Sequence, residues 1–250
     1  MGPPLAITAD ELRELADHAR SLDPLACAAD AAQAIVDTTY DRLAGSLVLL
    51  RVFTTLPYSA LSAADRDLVR DKCEEKGLLA TLREATPVLT LLGTRGRRPE
   101  WNDRTLSRRF RCVPLISAAY VAAHSMLELQ LRAMGFDLGL VDRWEREIAA
   151  SGRADRYAGV LHVADAAREL DEQGRWAVPA RTFVAENGVR TVIGCGAGYA
   201  RHPALATLFA FTSEPVERER AGPFMVLLDA YRELSEPLLA RGAAYRQTPP

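Results

Sequence analysis

Apolar residues recur along this chain with two different periods, and the changes of period mark its elements. Thr8-x-x-Glu11 forms a capping box with Ile7 and Leu12 placed as a hydrophobic staple, which predicts a helix running to about Arg20. Asp23 as cap and Pro24 at the first position predict a second helix, LACAADAAQAIVDTTYDRLAG, stopping at Gly45. Its apolar face of Ala28, Ala32, Ile35, Val36 and Leu43 is narrow and small, so another helix is expected to approach closely, within the chain or across a dimer. At the far end, Pro223 to Gly242 sets Phe224, Leu227, Leu228, Tyr231, Leu234, Leu238 and Leu239 on one broad stripe.

Between these helices the period shortens. Six apolar runs with β-branched or aromatic character are predicted strands of one sheet: 46–54, 88–93, 111–116, 157–163, 189–194 and 204–212. The last two flank GCGAGYARHP, a stretch suited to a hairpin loop with residues at positive φ. Helical inserts fill the other gaps. Ser62 caps a run ending at Gly77, Ser117 caps a run through Met134 ending at Gly135, and Leu140 to Ala150 reads as a third. Helices before, between and after the strands make an α+β layout, and no internal repeat competes with it.

Composition narrows the class. At 250 residues the core needs no covalent staples, and Cys27, Cys73, Cys112 and Cys195 are scattered without CxxC or zinc-like spacing. The N-terminal segment lacks a basic and an apolar signal region, and no long uncharged apolar run exists, so a reduced, cytoplasmic protein with no membrane span is expected. Net charge is -2, yet seven arginines against two acids fall between Arg95 and Arg111, a local +5. Arginine is the chain's general bias, since Lys72 and Lys76 are its lysines, but bias scatters residues and does not concentrate them.

That arginine stretch also carries recognisable words. Val88-Leu89-Thr90-Leu91-Leu92-Gly93-Thr94, Pro99-x-Trp101-Asn102-x-Arg104, Ser107 and Val113-Pro114-Leu115 resemble the GAF-like input domain at the N terminus of bacterial sensor histidine kinases. Val160-x-His162-Val163 and the run from Phe183 to Gly194 resemble that family's central and penultimate strands. The resemblance spans roughly 45–239. It implies a GAF-like fold with a mostly antiparallel six-stranded sheet flanked by N- and C-terminal helices. The implied organisation is packing or dimer helices over 1–44, a sensory domain over 45–242 and a tail over 243–250. Where the family pattern has Gly-His, this chain has Arg109-Phe110, so no role is expected from that imidazole. With no kinase after residue 250, signalling is expected through a partner such as a histidine kinase, through a homodimer interface, or through chemistry of the chain's own.

Candidate recognition residues follow from their chemistry. Trp101 offers a flat face to a planar ligand, Asn102 a donor and an acceptor, and Arg104 and Arg108 paired donors for an anion. The structural alternative has Trp101 covering the sheet edge, Asn102 capping a turn and Arg104 paired with an acid. His162 faces either a pocket or the core. Cys195, at the entry to the glycine-rich turn, is either a thiol activated by Arg190 or Arg201, or a small buried hydrophobe. No second ligand spaced for metal or haem accompanies His162 or His124, and the arginines lack interleaved aromatics for nucleic acid. No hydrolase, metalloprotease or nucleotide-cradle motif appears, and no catalytic residue is assigned. The leading reading is a small-molecule sensory module. A cysteine redox enzyme using Cys195 and Cys112, and a ligand-free dimerisation scaffold, are its rivals.

Overall fold

Six strands pair antiparallel throughout in the order β3-β2-β1-β6-β5-β4, giving the α+β class. The computed structural model describes residues 7–22, 25–107 and 109–246; the Asp23 and Pro24 capping positions, Arg108 and the Thr-Pro-Pro end lie outside them. In chain order the elements are α1 (Ala9–Arg20), α2 (Ala28–Leu43), β1 (Leu47–Pro57), α3 (Ala63–Glu75), β2 (Pro87–Gly96) and β3 (Cys112–Pro114). Then come α4 (Ala118–Ala122), α5 (Ser125–Ala133), α6 (Gly139–Asp142), β4 (Ala158–Val163), α7 (Arg181–Asn187), β5 (Thr191–Gly198), β6 (Leu205–Thr212), α8 (Arg218–Ala221) and α9 (Met225–Ala240).

The sheet lies between two helical layers. One face buries Leu50, Val52, Leu92, Cys195 and Leu208 against α1, α2, α3 and α9; the other buries Leu49, Phe53, Leu91, Val192 and Phe209 against α4 to α7. The Thr8 capping box forms as its spacing predicts. Helix α2 begins at Ala28, four residues later than expected. Its first free N–H groups, of Ala28 and Ala29, donate to the carbonyls of Ala243 and Ala244 at 2.9 and 3.1 Å, so the chain after α9 caps it. Its small face meets α9 and α1 as a helix partner, and also strand β2: a Cβ on Gly93 would lie 2.5 Å from the Ala32 carbonyl. Backbone touches backbone there.

Three helical expectations need correction. The run expected from Ser117 to Met134 breaks at His124, whose backbone leaves the helical region (φ -113, ψ 85) and whose Nδ1 lies 2.8 Å from the Tyr120 carbonyl. The run over 140–150 divides into α6 and a wide turn over Glu145–Ala149. Phe183 and Val184, expected in an extended run, lie in α7, which Gly188 ends in the left-handed region at φ 62.

The glycine-rich stretch after Ile193 is also strand and not hairpin loop. Gly194, Gly196 and Gly198 lie in β5, and none has positive φ. Their missing side chains make room for what packs across them. A Cβ on Gly194 or Gly196 would collide with Gln130 or Met134, and one on Gly159 of β4 would sit 1.8 Å from the Ala133 carbonyl. Helix α5 therefore rests on the bare backbone of β4 and β5. Only the turn over 199–204 remains to join β5 to β6.

Candidate functional site

The glycine half of this face is closed by α5, whereas the half over β1, β2 and β6 carries large side chains and stays open. Leu49, Arg51 and Phe53 alternate toward it along β1, with Leu89 from β2 and Phe209 and Phe211 from β6. They floor a cavity of about 610 Å³, within the range of small-molecule sites. Trp101 and Phe183 form one wall in an aromatic chain: Trp101 to Phe183 at 5.4 Å and Phe183 to Phe211 at 5.3 Å between ring centres. The α4–α5 break contributes Tyr120, His124 and Leu127 to the opposite wall. Exposed Lys76, Arg109 and Glu75 and half-buried Lys72 stand at the rim.

Arg51 is the polar group in the floor. One of its terminal nitrogens donates to Ser107 Oγ at 3.0 Å, while its Nε is fully buried and has no hydrogen-bond partner among the described residues. Among the described residues no carboxylate lies within ion-pair distance of it. Burial pushes its guanidinium down to about 10, so it stays charged at neutral pH. It is the lone charge in a strand that otherwise reads LVLL-VFTTLP. The arginine cluster masks it in the sequence, although a single arginine inside an apolar strand is itself a signal.

The clustered arginines serve other ends. Strand β3 has three residues, so much of the β2 edge is left for the following loop to satisfy. Asn102 Oδ1 accepts from the Gly96 N–H at 2.8 Å, Arg104 Nε donates to the Leu91 carbonyl at 2.8 Å, and the Arg111 carbonyl accepts from the Leu91 N–H at 2.7 Å. Arg104 and Arg111 then close on Asp65, whose side chain is 1% exposed, at 2.6 and 2.7 Å. Burial opposes the charge on Asp65, but the two guanidiniums outweigh it and hold the carboxyl below its ordinary value. Arg97 donates to the Leu47 and Gly45 carbonyls and to Ser213, and Arg95 lies near Asp37 and Asp41. Arg98 pairs with Glu186 while lying over the Trp101 ring. Most of these guanidiniums fasten the segment to the sheet or to the helices beside it.

Of the residues singled out from sequence, Trp101 lines the cavity; Asn102 and Arg104 are engaged with β2. Arg108 is outside the described residues. His162 Nε2 lies 2.7 Å from the Val216 carbonyl, which can only accept, so that nitrogen carries the proton and ties β4 to the segment before α8. Arg190 is exposed at the entry to β5. Cys195 sits in mid-strand between Val160 and Leu208, on the face covered by α9, and burial pushes its thiol well above the ordinary range. Cys112 and Cys195 stand four strand positions apart, roughly 19 Å at about 4.8 Å each. That is far beyond disulfide reach. All four cysteines are free and buried.

Among the described residues no group of three His, Cys, Asp or Glu is placed to hold a metal, and no helix is long and apolar enough to cross a membrane. No protein-family model matches the chain, and no curated protein does. Solved structures do match. One is the crystal structure of the N-acylhomoserine lactone dependent LuxR family transcription factor CepR2 from Burkholderia cenocepacia, 15% identical, over 93% of this chain and 97% of that one, with a TM-score of 0.41. The likeness is remote, and no site residue is transferred from it. The GAF-type reading rests on the sequence words alone.

Proposed function

We propose that this chain is a GAF-like sensory module that binds a small planar or anionic molecule and signals to a protein partner through helix packing. The observation that carries the reading is the aromatic-walled cavity between β1, β2, β6 and the arginine loop. Several elements meet around it. The loop is bonded to β2, β2 touches α2 at Gly93, and α2 packs on α9, so a shift of the loop has a contiguous route to both long helices. A histidine kinase as receiver and a homodimer as the working assembly follow from the family resemblance and belong to the same proposal. The redox alternative loses its cysteine pair to distance, and the scaffold alternative has the small face of α2 already covered within the chain.

A thermal-shift screen across nucleotides, cyclic dinucleotides and organic acids tests the module reading. A raised melting temperature with one class, lost on Trp101→Ala, is expected. Unchanged melting across all classes would sink it.

A further inference from the structure

We infer that Arg51 anchors the head of a monocarboxylate whose alkyl or aryl body fills the cavity; this rests on the cavity being the ligand site. A guanidinium placed in an apolar floor without an acid is unfavourable, and such charges are otherwise paired. The chain supplies acids freely elsewhere: Asp65 serves two arginines, and Arg20, Arg132, Arg175 and Arg232 each have a carboxylate within 3 Å. Among the described residues Arg51 has Ser107 Oγ as its one hydrogen-bond partner, on one terminal nitrogen, which leaves N–H donors on both terminal nitrogens for a planar anion. Carboxylate matches that fork.

The surroundings limit the ligand further. Lys72 is spent on the Arg109 and Cys112 carbonyls at 3.0 and 2.6 Å, and Glu75 stands at the rim, so a single negative charge is favoured over a polyphosphate. Beyond the head, Phe53, Phe209, Phe211, Phe183 and Trp101 present apolar surface to a body of medium size. Ser107 adds a coupling. It follows the turn Arg104–Leu106 of the arginine loop, so the loop and the ligand head meet on one guanidinium.

Isothermal titration of the full chain tests this with straight-chain acids from butyrate to dodecanoate and phenyl-terminated acids, each beside its primary amide. The best carboxylate is expected to bind at least about tenfold tighter than its amide, as for a charged hydrogen-bonded pair in an apolar site. Arg51→Met should erase that difference, with carboxylate affinity falling to that of the amide. Arg51→Lys, which keeps charge and loses the fork, should retain only part of it and serves if the methionine variant does not fold. Equal binding of acid and amide, or a preference that survives Arg51→Met, overturns the anchor and leaves the cavity reading standing. No binding by any acid or amide overturns the anchor. If a ligand of another class still raises the melting temperature through Trp101, the cavity reading survives; if none does, both fall.

Discussion

Arg104 and Arg51 both lie beside β2, and they end in opposite electrostatic situations. Arg104 closes with Arg111 on a buried aspartate and a strand carbonyl, so its charge belongs to a finished structural knot. Arg51 lines an open apolar cavity and, among the described residues, has one hydroxyl as its hydrogen-bond partner. What separates structure from recognition here is therefore the supply of partners and not the density of charge. A crowd of arginines with acids and carbonyls fastens a loop, whereas a single one without them is poised for something from outside.

The largest expected effect falls on the knot. Asp65→Asn leaves two half-buried guanidiniums without their acid and should lower unfolding free energy by about 3 kcal/mol, read by urea denaturation. A loss below about 1 kcal/mol would mean the knot behaves as a surface pair. The same aspartate gives a pH signature. Its folded carboxyl lies below the unfolded value near about 4, so its contribution is fully present above that value and is lost as pH falls through the lower one. Below about pH 4 wild-type stability should therefore fall more steeply than that of Asp65→Asn.

At Arg51 the pH dependence runs in the same direction, but here the charged form is the one the fold disfavours. Its folded value, about 10, lies below that of an unfolded arginine, so the stability this group adds appears only in strong alkali and is lost as pH falls through 10. At neutral pH its burial is unfavourable. Arg51→Met should accordingly raise ligand-free stability by about 1–2 kcal/mol, in contrast to Asp65→Asn. A destabilised methionine variant would break the comparison, because Arg51 would then hold the fold together as Arg104 does. Smallest is Ser107→Ala, which removes the bond between Arg51 and the loop and should reduce stability by about 1 kcal/mol or less. Hydrogen exchange at Leu106 to Phe110 should quicken in that variant; unchanged exchange would separate the loop from Arg51.

Much of this molecule is legible in its sequence, with misses that have physical causes. All six strands overlap the apolar runs with β-branched residues that predict them, because most of their residues are buried. Capping boxes and stops survive since they depend on neighbours in the chain: Thr8, Ser62 and Ser117 accept the bonds their spacing predicts. Tertiary contacts account for the misses. The cap of α2 comes from Ala243 and Ala244, and the glycines of β5 are explained by α5 lying across them. Charge clustering drew attention to 95–111, where the partners that neutralise it lie at Asp65 and on β2, far away in sequence. Of the site, Trp101 was readable from its loop, while the meaning of Arg51 depends on which face of β1 it occupies.

The central claim is that the unpaired guanidinium receives the head of the ligand. A crystal structure of the full chain with the tightest-binding carboxylate of the titration series tests it directly. Both carboxylate oxygens are expected within hydrogen-bond distance of Arg51, with the apolar body against Phe209 and Trp101. A head placed on Lys72 or Arg109 at the rim, or a ligand lodged outside the cavity, would contradict it.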